Sequence, residues 1–285
     1  MNFPVLDRLP FPSRTRARQV VNRFKDELRR AVEASQKHMS GLRMSADGLG
    51  RRMLDARDSG LWTEKQLRDN LTVAFVAGQE NPQLCMISTL YLLAKHPVST
   101  TEDIATRPEK RLTRLAQDAQ AKLYAELQSR GVDATDPDPE TLQDMPYLTS
   151  VIYESLRLFP PIGQLVNRQA SEDVFLGGDI VIPKGTYLGY NCYSTNRDPG
   201  AWGPTADAFD PSRWGESSLT VQKHYRARRA KAEFISFHGG RRACLGEKFA
   251  LLQMRVTLAA LVREFTWRLD PTWTDRKTPV RSPTA

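Results

Sequence analysis

The sequence predicts a mainly α-helical fold with small β-sheets, and three observations carry that expectation. Apolar residues recur at helical spacing through several long stretches. A single region, between residues 164 and 190, breaks instead into short β-prone runs separated by Gly and Pro turns. No internal repeat or low-complexity tract interrupts the 285 residues, a length sufficient to bury a full core.

Arg14 to Ser35 places Val20, Val21, Phe24, Leu28 and Val32 at helical intervals with charges between them, the pattern of an amphipathic helix. Asp47 to Arg57 reads as a short helix stopping near Gly60. Thr63 with Gln66 three residues later has the spelling of a capping box, and it opens an apolar run from Leu67 to Leu93. That run is apolar nearly all round, so the expectation is a helix crossing the core. Val98 to Asp118 is polar and charged and reads as a surface excursion. Ala121 to Arg130 returns to helix, and Asp133 to Glu140, with Pro137 and Pro139, reads as a loop. A further helix begins at Pro146-Tyr147-Leu148 and must end by Pro160-Pro161.

Strands are expected at Gln164–Arg168, Val174–Leu176, Ile180–Ile182 and Thr186–Tyr190, with Gly177-Gly178-Asp179 and Pro183-Lys184-Gly185 as turns. Asn196 to Trp214, rich in Pro, Gly and Trp, reads as irregular. The last helix runs from near Gly246 to about Phe265.

Composition narrows the function classes. Lys and Arg number 41 against 33 Asp and Glu, and the excess concentrates in Arg14–Arg30 and Lys223–Lys231. Such runs suit a solvated helix face, an anionic membrane surface or an acidic redox partner. No zinc-ligand spacing or RNA-binding signature accompanies them, so nucleic acid is not the expected partner. Three cysteines cannot all pair with one another; Cys85 stands in a helical run, Cys192 in a strand-like segment and Cys244 in a loop, which is no disulfide framework. No stretch is long and apolar enough to span a bilayer, and Met1-Asn2-Phe3-Pro4 starts no signal-peptide pattern, so the expectation is a cytoplasmic protein or one peripheral to a membrane.

The most informative segment is Phe237-His238-Gly239-Gly240-Arg241-Arg242-Ala243-Cys244-Leu245-Gly246, immediately before the last helix. Its glycines allow a turn that β-carbons would obstruct, while Arg242 and the N-terminus of the following helix favour an ionised sulfur. Cys244 is thus a candidate thiolate metal ligand; a structural cysteine in a Gly-rich turn would have a similar local spelling.

The spacing F-x-x-G-x-R-x-C-x-G resembles the haem-binding loop of the cytochrome P-450 superfamily, the haem-thiolate monooxygenases. At about 5% per residue type, five fixed positions coincide at roughly one start position in a few million. The resemblance implies haem b held by Cys244, with Phe237, Gly240, Arg242 and Gly246 shaping its loop. It also implies the C-terminal portion of the cytochrome P-450 fold.

Further segments follow in the order that this family has them. Glu154-Ser155-Leu156-Arg157 places a carboxylate and a guanidinium on one helix face, as in the family's E-x-x-R pair. Phe209-Asp210-Pro211-Ser212-Arg213-Trp214 matches the segment that supplies a second arginine, nominating Arg213 as third member of a buried structural triad. On the long helix, Ala77-Gly78-Gln79-Glu80-Asn81-Pro82 puts an acid beside a thinned helix, and Pro82 cannot donate to the carbonyl of Gly78. This suits a flat ligand lying near Ala77 and Gly78 with Glu80 delivering protons; a simple Pro kink in a core helix is the plainer alternative. The family usually has threonine where this chain has Asn81, so the residue expected to hold a water here is an amide. Arg168 and Arg242 occupy positions where the family pairs basic residues with haem propionates, and Ile162 to Val166 would line the substrate side. By the same resemblance, electrons would come from NADPH through a cytochrome P-450 reductase.

An A-G-x-E-N pattern, together with Asn167–Asp210 and Phe237–Trp273, is similar to a fungal subgroup that includes the enzyme coupling formyl-tyrosines for spore walls. The expected function is monooxygenation or phenolic oxidative coupling of a small organic molecule, aromatic or amino-acid-derived, in fungal secondary metabolism. Relatives run longer at the N-terminus, so the resemblance implies one partial domain over 1–285 without the N-terminal half of the fold or any membrane anchor it carried, with 98–118 as an insertion. Endoplasmic-reticulum association would follow from that relationship. The competing expectation is a truncated, non-catalytic remnant that holds no stable haem.

Overall fold

The computed structural model describes residues 11–38, 48–95, 119–132 and 138–275, so the expected insertion at 98–118 lies outside the described residues. The chain divides into two compact units, Met1–Gln79 with Thr274–Ala285 and Glu80–Trp273. The boundary falls inside one continuous helix.

The first unit holds α1 (Pro12–His38), α2 (Leu49–Asp58) and the first half of α3 (Glu64–Lys95). Its small core joins Leu54, Leu67 and Leu71, with Leu28, Val32 and Met53 packed around them. A β-carbon at Gly50 would lie 2.9 Å from a methyl of Val32, so glycine there lets α2 approach α1 closely. The capping box forms: Thr63 N donates to Gln66 Oε1 at 2.8 Å and Gln66 N to Thr63 Oγ1 at 3.2 Å. Much of the basic run of α1 is paired. Arg29 and Arg57 both contact Glu33 and Glu64, and Lys25 reaches Asp69.

In the second unit the core is centred on α6 (Pro146–Leu158), buried at every residue from Leu148 to Leu158. Around it stand the end of α3, α4 (Ala119–Ser129), α5 (Pro139–Gln143), α9 (Ser218–Ala230) and α10 (Glu247–Glu264). Two antiparallel pairs complete the unit. β1 (Gln164–Gln169) pairs with β4 (Tyr187–Asn191), with an irregularity between Leu165 and Arg168, and β2 (Val174–Leu176) pairs with β3 (Ile180–Ile182). Gly177 and Gly178, at φ of 65° and 90°, turn β2 into β3 as the sequence anticipates.

Several expectations need correcting. α3 does not cross the core along its length. Its buried positions are Leu67 and Leu71, then Pro82, Cys85, Thr89 and Leu92 to Ala94, while Val73, Phe75, Val76, Leu84 and Ile87 stay exposed. A helix apolar on every side has more apolar surface than the neighbours described here can cover. Pro139 and Glu140, expected at the end of a loop, instead begin a short helix through Gln143, because Asp138 accepts from Thr141 N at 2.8 Å and Leu142 is fully buried. The span from Asn196 to Trp214 also contains order: α7 (Cys192–Thr195) ends at its edge, and α8 (Pro199–Trp202) and a 3₁₀ turn (Pro211–Trp214) lie within it. Cys192 begins α7 rather than sitting in a strand. The basic run at Lys223–Lys231 lies largely on α9, with only Val221 and Tyr225 buried.

Candidate functional site

The best-organised polar cluster lies inside α6. Glu154 and Arg157 are completely buried three residues apart, and the pair is two-pronged: Arg157 Nε donates to Oε2 at 2.9 Å and Nη2 to Oε1 at 2.7 Å. The remaining N–H groups of Arg157 reach the carbonyls of Asn196, Ala206 and Ala208. All five of its donors are therefore used, which is what a buried guanidinium requires.

Glu154 is equally well supplied. Trp214 Nε1 donates to its Oε2 at 3.1 Å and the Asp210 N–H to its Oε1 at 3.0 Å. Arg213 Nε lies 3.4 Å from Oε1 as an ion pair without hydrogen-bond geometry; its outer nitrogens hold Trp202 O, Thr205 O and Thr205 Oγ1. Arg157 and Arg213 thus both lie against Glu154, and two further donors, Trp214 and Asp210, also serve the carboxylate. Trp214 follows Arg213 directly in the segment already singled out, so the signal for it stood one residue away.

Other contacts fix α6 in place. Its N-terminus lacks a cap of its own, and Glu126 of α4 supplies one: its two oxygens accept from Tyr147 N and Leu148 N, each at 2.8 Å. Burial raises the Glu126 pKa, against the lowering effect of these backbone bonds. No local spelling announces this cap, since the residues lie 21 and 22 positions apart. Asn196, fully buried, accepts from Ile235 N and donates to Ser236 Oγ, which itself donates to Leu156 O. The approach to the cysteine loop is thereby tied to α6.

The loop leaves a buried Phe237, passes through a 3₁₀ turn at Gly240–Arg242 and enters α10 at Gly246. Cys244 N donates to Phe237 O at 2.9 Å, closing the loop on itself. The glycines act differently from expectation. Gly240 has φ of 61°, but Gly239 is extended at φ of −152°, and the other left-handed residue is His238 at 62°. A β-carbon at Gly239 or Gly240 would meet nothing within 4 Å, and one at Gly246 would make ordinary contact with Cys244 Sγ at 4.0 Å. Gly240 thus supplies the left-handed residue that the turn needs, while Gly239 and Gly246 adopt conformations open to other residues.

Cys244 is exposed, while Cys85 and Cys192 are buried, with burial pushing their thiols up to about 12 and about 11. Around Cys244 the chain leaves apolar side chains in the open, Leu245 fully and Phe249 largely. Among the described residues no three His, Cys, Asp or Glu converge.

The remaining expected residues sit on separate elements. Ala77, Gly78, Glu80 and Asn81 all lie on α3, which stays helical through a buried Pro82; the first two belong to the first unit and the latter two to the second. Glu80 is exposed and Asn81 half-buried. Arg168 is half-buried on β1 opposite Leu188 of β4. Arg242 is exposed in the 3₁₀ turn, two residues before Cys244. Of the residues expected on the substrate side, Ile162 is exposed, and the side chains of Leu165 and Val166 lie outside the described residues.

Comparison with known proteins agrees with this arrangement. The Cytochrome P450 family model matches residues 112–282. Cytochrome P450-DIT2 of Saccharomyces cerevisiae is 39% identical over 282 residues, covering 98% of this chain and 52% of its own length. Cytochrome P450 monooxygenase xanG of Aspergillus fumigatus is 33% identical over 98% of this chain and 48% of its own. A plant relative, Cytochrome P450 714A2 of Arabidopsis thaliana, is 30% identical over 76% of the chain. The chain spans about half the length of the two fungal relatives. With a buried Glu154–Arg157 pair, an exposed cysteine ahead of α10 and these matches, the chain belongs to the cytochrome P450 family.

Proposed function

We propose that this chain carries the haem-binding portion of a fungal haem-thiolate oxidoreductase, acting by monooxygenation or phenolic oxidative coupling on a small aromatic or amino-acid-derived molecule in secondary metabolism. The observation that carries the reading is Cys244 itself: it is the exposed cysteine, set at the start of α10, in a loop whose glycines leave open space beside it. A single exposed thiol followed in the chain by exposed Leu245 and Phe249 fits a haem, which brings four nitrogen ligands of its own and offers apolar faces to cover. Bound there, haem supplies a redox-active iron whose thiolate ligand favours O–O cleavage.

The chain's own residues take the other tasks. Cys244 ligates, Phe237, Gly240 and Gly246 shape the loop, and Arg168 and Arg242 pair with the propionates by charge-assisted hydrogen bonds. Ala77 and Gly78 thin α3 for a flat ligand. Glu80 passes protons toward the ligand, and the Asn81 amide orients a water in place of a hydroxyl. Glu154, Arg157 and Arg213 form the structural triad. Electrons arrive from NADPH through a reductase drawn to the basic residues of α9, and that partnership places the protein in the cytoplasm or at the endoplasmic-reticulum surface. No helix among the described residues is long and apolar enough to cross a membrane. The likeness to two fungal cytochromes P450 supports the haem-thiolate part of this reading.

The test is to load the purified chain with haem, reduce it under carbon monoxide and record its spectrum. The red-shifted thiolate Soret band is expected, and Cys244→Ser should abolish it; a wild-type chain without that band would overturn the reading in favour of a remnant that holds no haem.

A further inference from the structure

We infer that Arg229 of α9 is a positioning residue for Cys244, bracketing the cysteine loop from both sides. One nitrogen, Nη1, reaches Glu247 Oε1 at 2.8 Å in the first turn of α10, three residues after the cysteine. The other, Nη2, donates to the carbonyl of His238 at 3.1 Å, six residues before it. A planar guanidinium can hold both at once, whereas a lysine ammonium would have to choose or compromise.

The bracket has a rigid backing. Tyr225, one turn before Arg229 on α9, is buried; its hydroxyl donates to the same Glu247 oxygen at 2.6 Å and accepts from Arg229 Nη1 at 3.4 Å. The guanidinium also lies over the Tyr225 ring at 5.3 Å. Burial first, and then the Glu247 carboxylate, push the tyrosine pKa up, keeping its hydroxyl a donor. Tyr225 in turn stacks on Tyr153 of α6 at 4.3 Å and 12°. The clamp therefore hangs on the most buried helix of the unit, while the loop it holds is exposed from Gly239 to Gly246. The carbonyl it grips belongs to His238, whose φ of 62° is unfavourable for a non-glycine residue and needs support from outside the loop. Arg229 and Glu247 are themselves only 24% and 18% exposed, so their bond is partly shielded from water.

The inference rests on Cys244 being the haem ligand, but its first test needs no haem. In the 285-residue apo chain, hydrogen exchange is followed at the Cys244 amide, which the Phe237 carbonyl protects, in wild type, Arg229→Lys and Tyr225→Phe. Arg229→Lys should accelerate exchange over 238–246 by about tenfold, with the amides of α4 unchanged, and Tyr225→Phe should give a smaller local rise. After haem loading, Arg229→Lys should shift part of the red-shifted carbon monoxide band toward the blue, reporting a displaced or protonated thiolate. Unchanged exchange over 238–246 in Arg229→Lys, or an equal rise in α4, would overturn the clamp. A wild-type chain with no thiolate band would instead count against the haem reading and leave the exchange result standing.

Discussion

Tyr153 lies flat on Tyr225, ring centroids 4.3 Å apart, one residue before Glu154 and four before Arg229. The stack belongs to a larger aromatic group. Trp214 meets Tyr153 edge-on at 5.2 Å while donating to Glu154, and Phe234 closes against Trp214 and Tyr225. Rings and ions therefore share one wall, and a change to either should be felt by both.

Glu154→Gln should lower stability by roughly 3–5 kcal/mol, because it leaves the Arg157 charge buried without its counter-ion. Trp214→Phe keeps the ring and removes one donor from the carboxylate, so a smaller loss of about 1–3 kcal/mol is expected. Urea unfolding followed by tryptophan fluorescence and far-ultraviolet circular dichroism measures both. Similar midpoints for Glu154→Gln and wild type would show that the pair contributes little.

The three cysteines should separate by reactivity. In the native chain a thiol reagent at mild pH should label Cys244 alone, with Cys85 and Cys192 reacting only after denaturation, since both are buried and hard to ionise. Mass spectrometry of the labelled peptides counts them. Cys244→Ser should change apo stability by no more than about 0.5 kcal/mol, as its side chain is exposed.

Glu126→Ala should cost about 1–2 kcal/mol, the usual scale of a lost helix cap, although Glu126 lies on a different helix from the one it caps. Glu126→Gln retains an acceptor and should recover part of it. Equilibrium unfolding of the two variants side by side provides the comparison; identical losses would mean that packing, not capping, is the contribution.

Asp69 should give the first unit an acid-sensitive contribution. Hydrogen bonds from Lys25 and then Lys65 hold its carboxyl at about 2, below its ordinary 3.8. Its contribution is therefore complete above the unfolded value and fades as pH falls from about 3.8 toward 2. Asp69→Asn should flatten that part of a stability-against-pH curve measured from α1–α2 signals; an unaltered slope would show the pairing to be without effect.

The sequence reveals local features well and long-range ones poorly. The helices at 12–38 and 146–158, the capping box at Thr63 and the Gly177-Gly178 turn each follow from neighbours within a few positions, and all are present. The Glu154–Arg157 pair and the cysteine loop are legible for the same reason. α9 escapes an apolar-periodicity reading because only Val221 and Tyr225 are buried in thirteen residues, and its Ser217 cap bonding Thr220 N is the one local hint. The Glu126 cap, the Arg229 contacts and the bare middle of α3 depend on what lies beside them in space, which spacing along a chain does not encode.

Arg157 has one more consequence, which concerns time rather than energy. The carbonyls it gathers lie 39, 49 and 51 residues downstream. During synthesis from the N-terminus, its guanidinium cannot acquire its full set of partners until Ala208 has left the ribosome. Until then α6 carries an incompletely bonded cation at what will become the centre of the core. The order in which residues are made thus sets the earliest moment at which this unit can close.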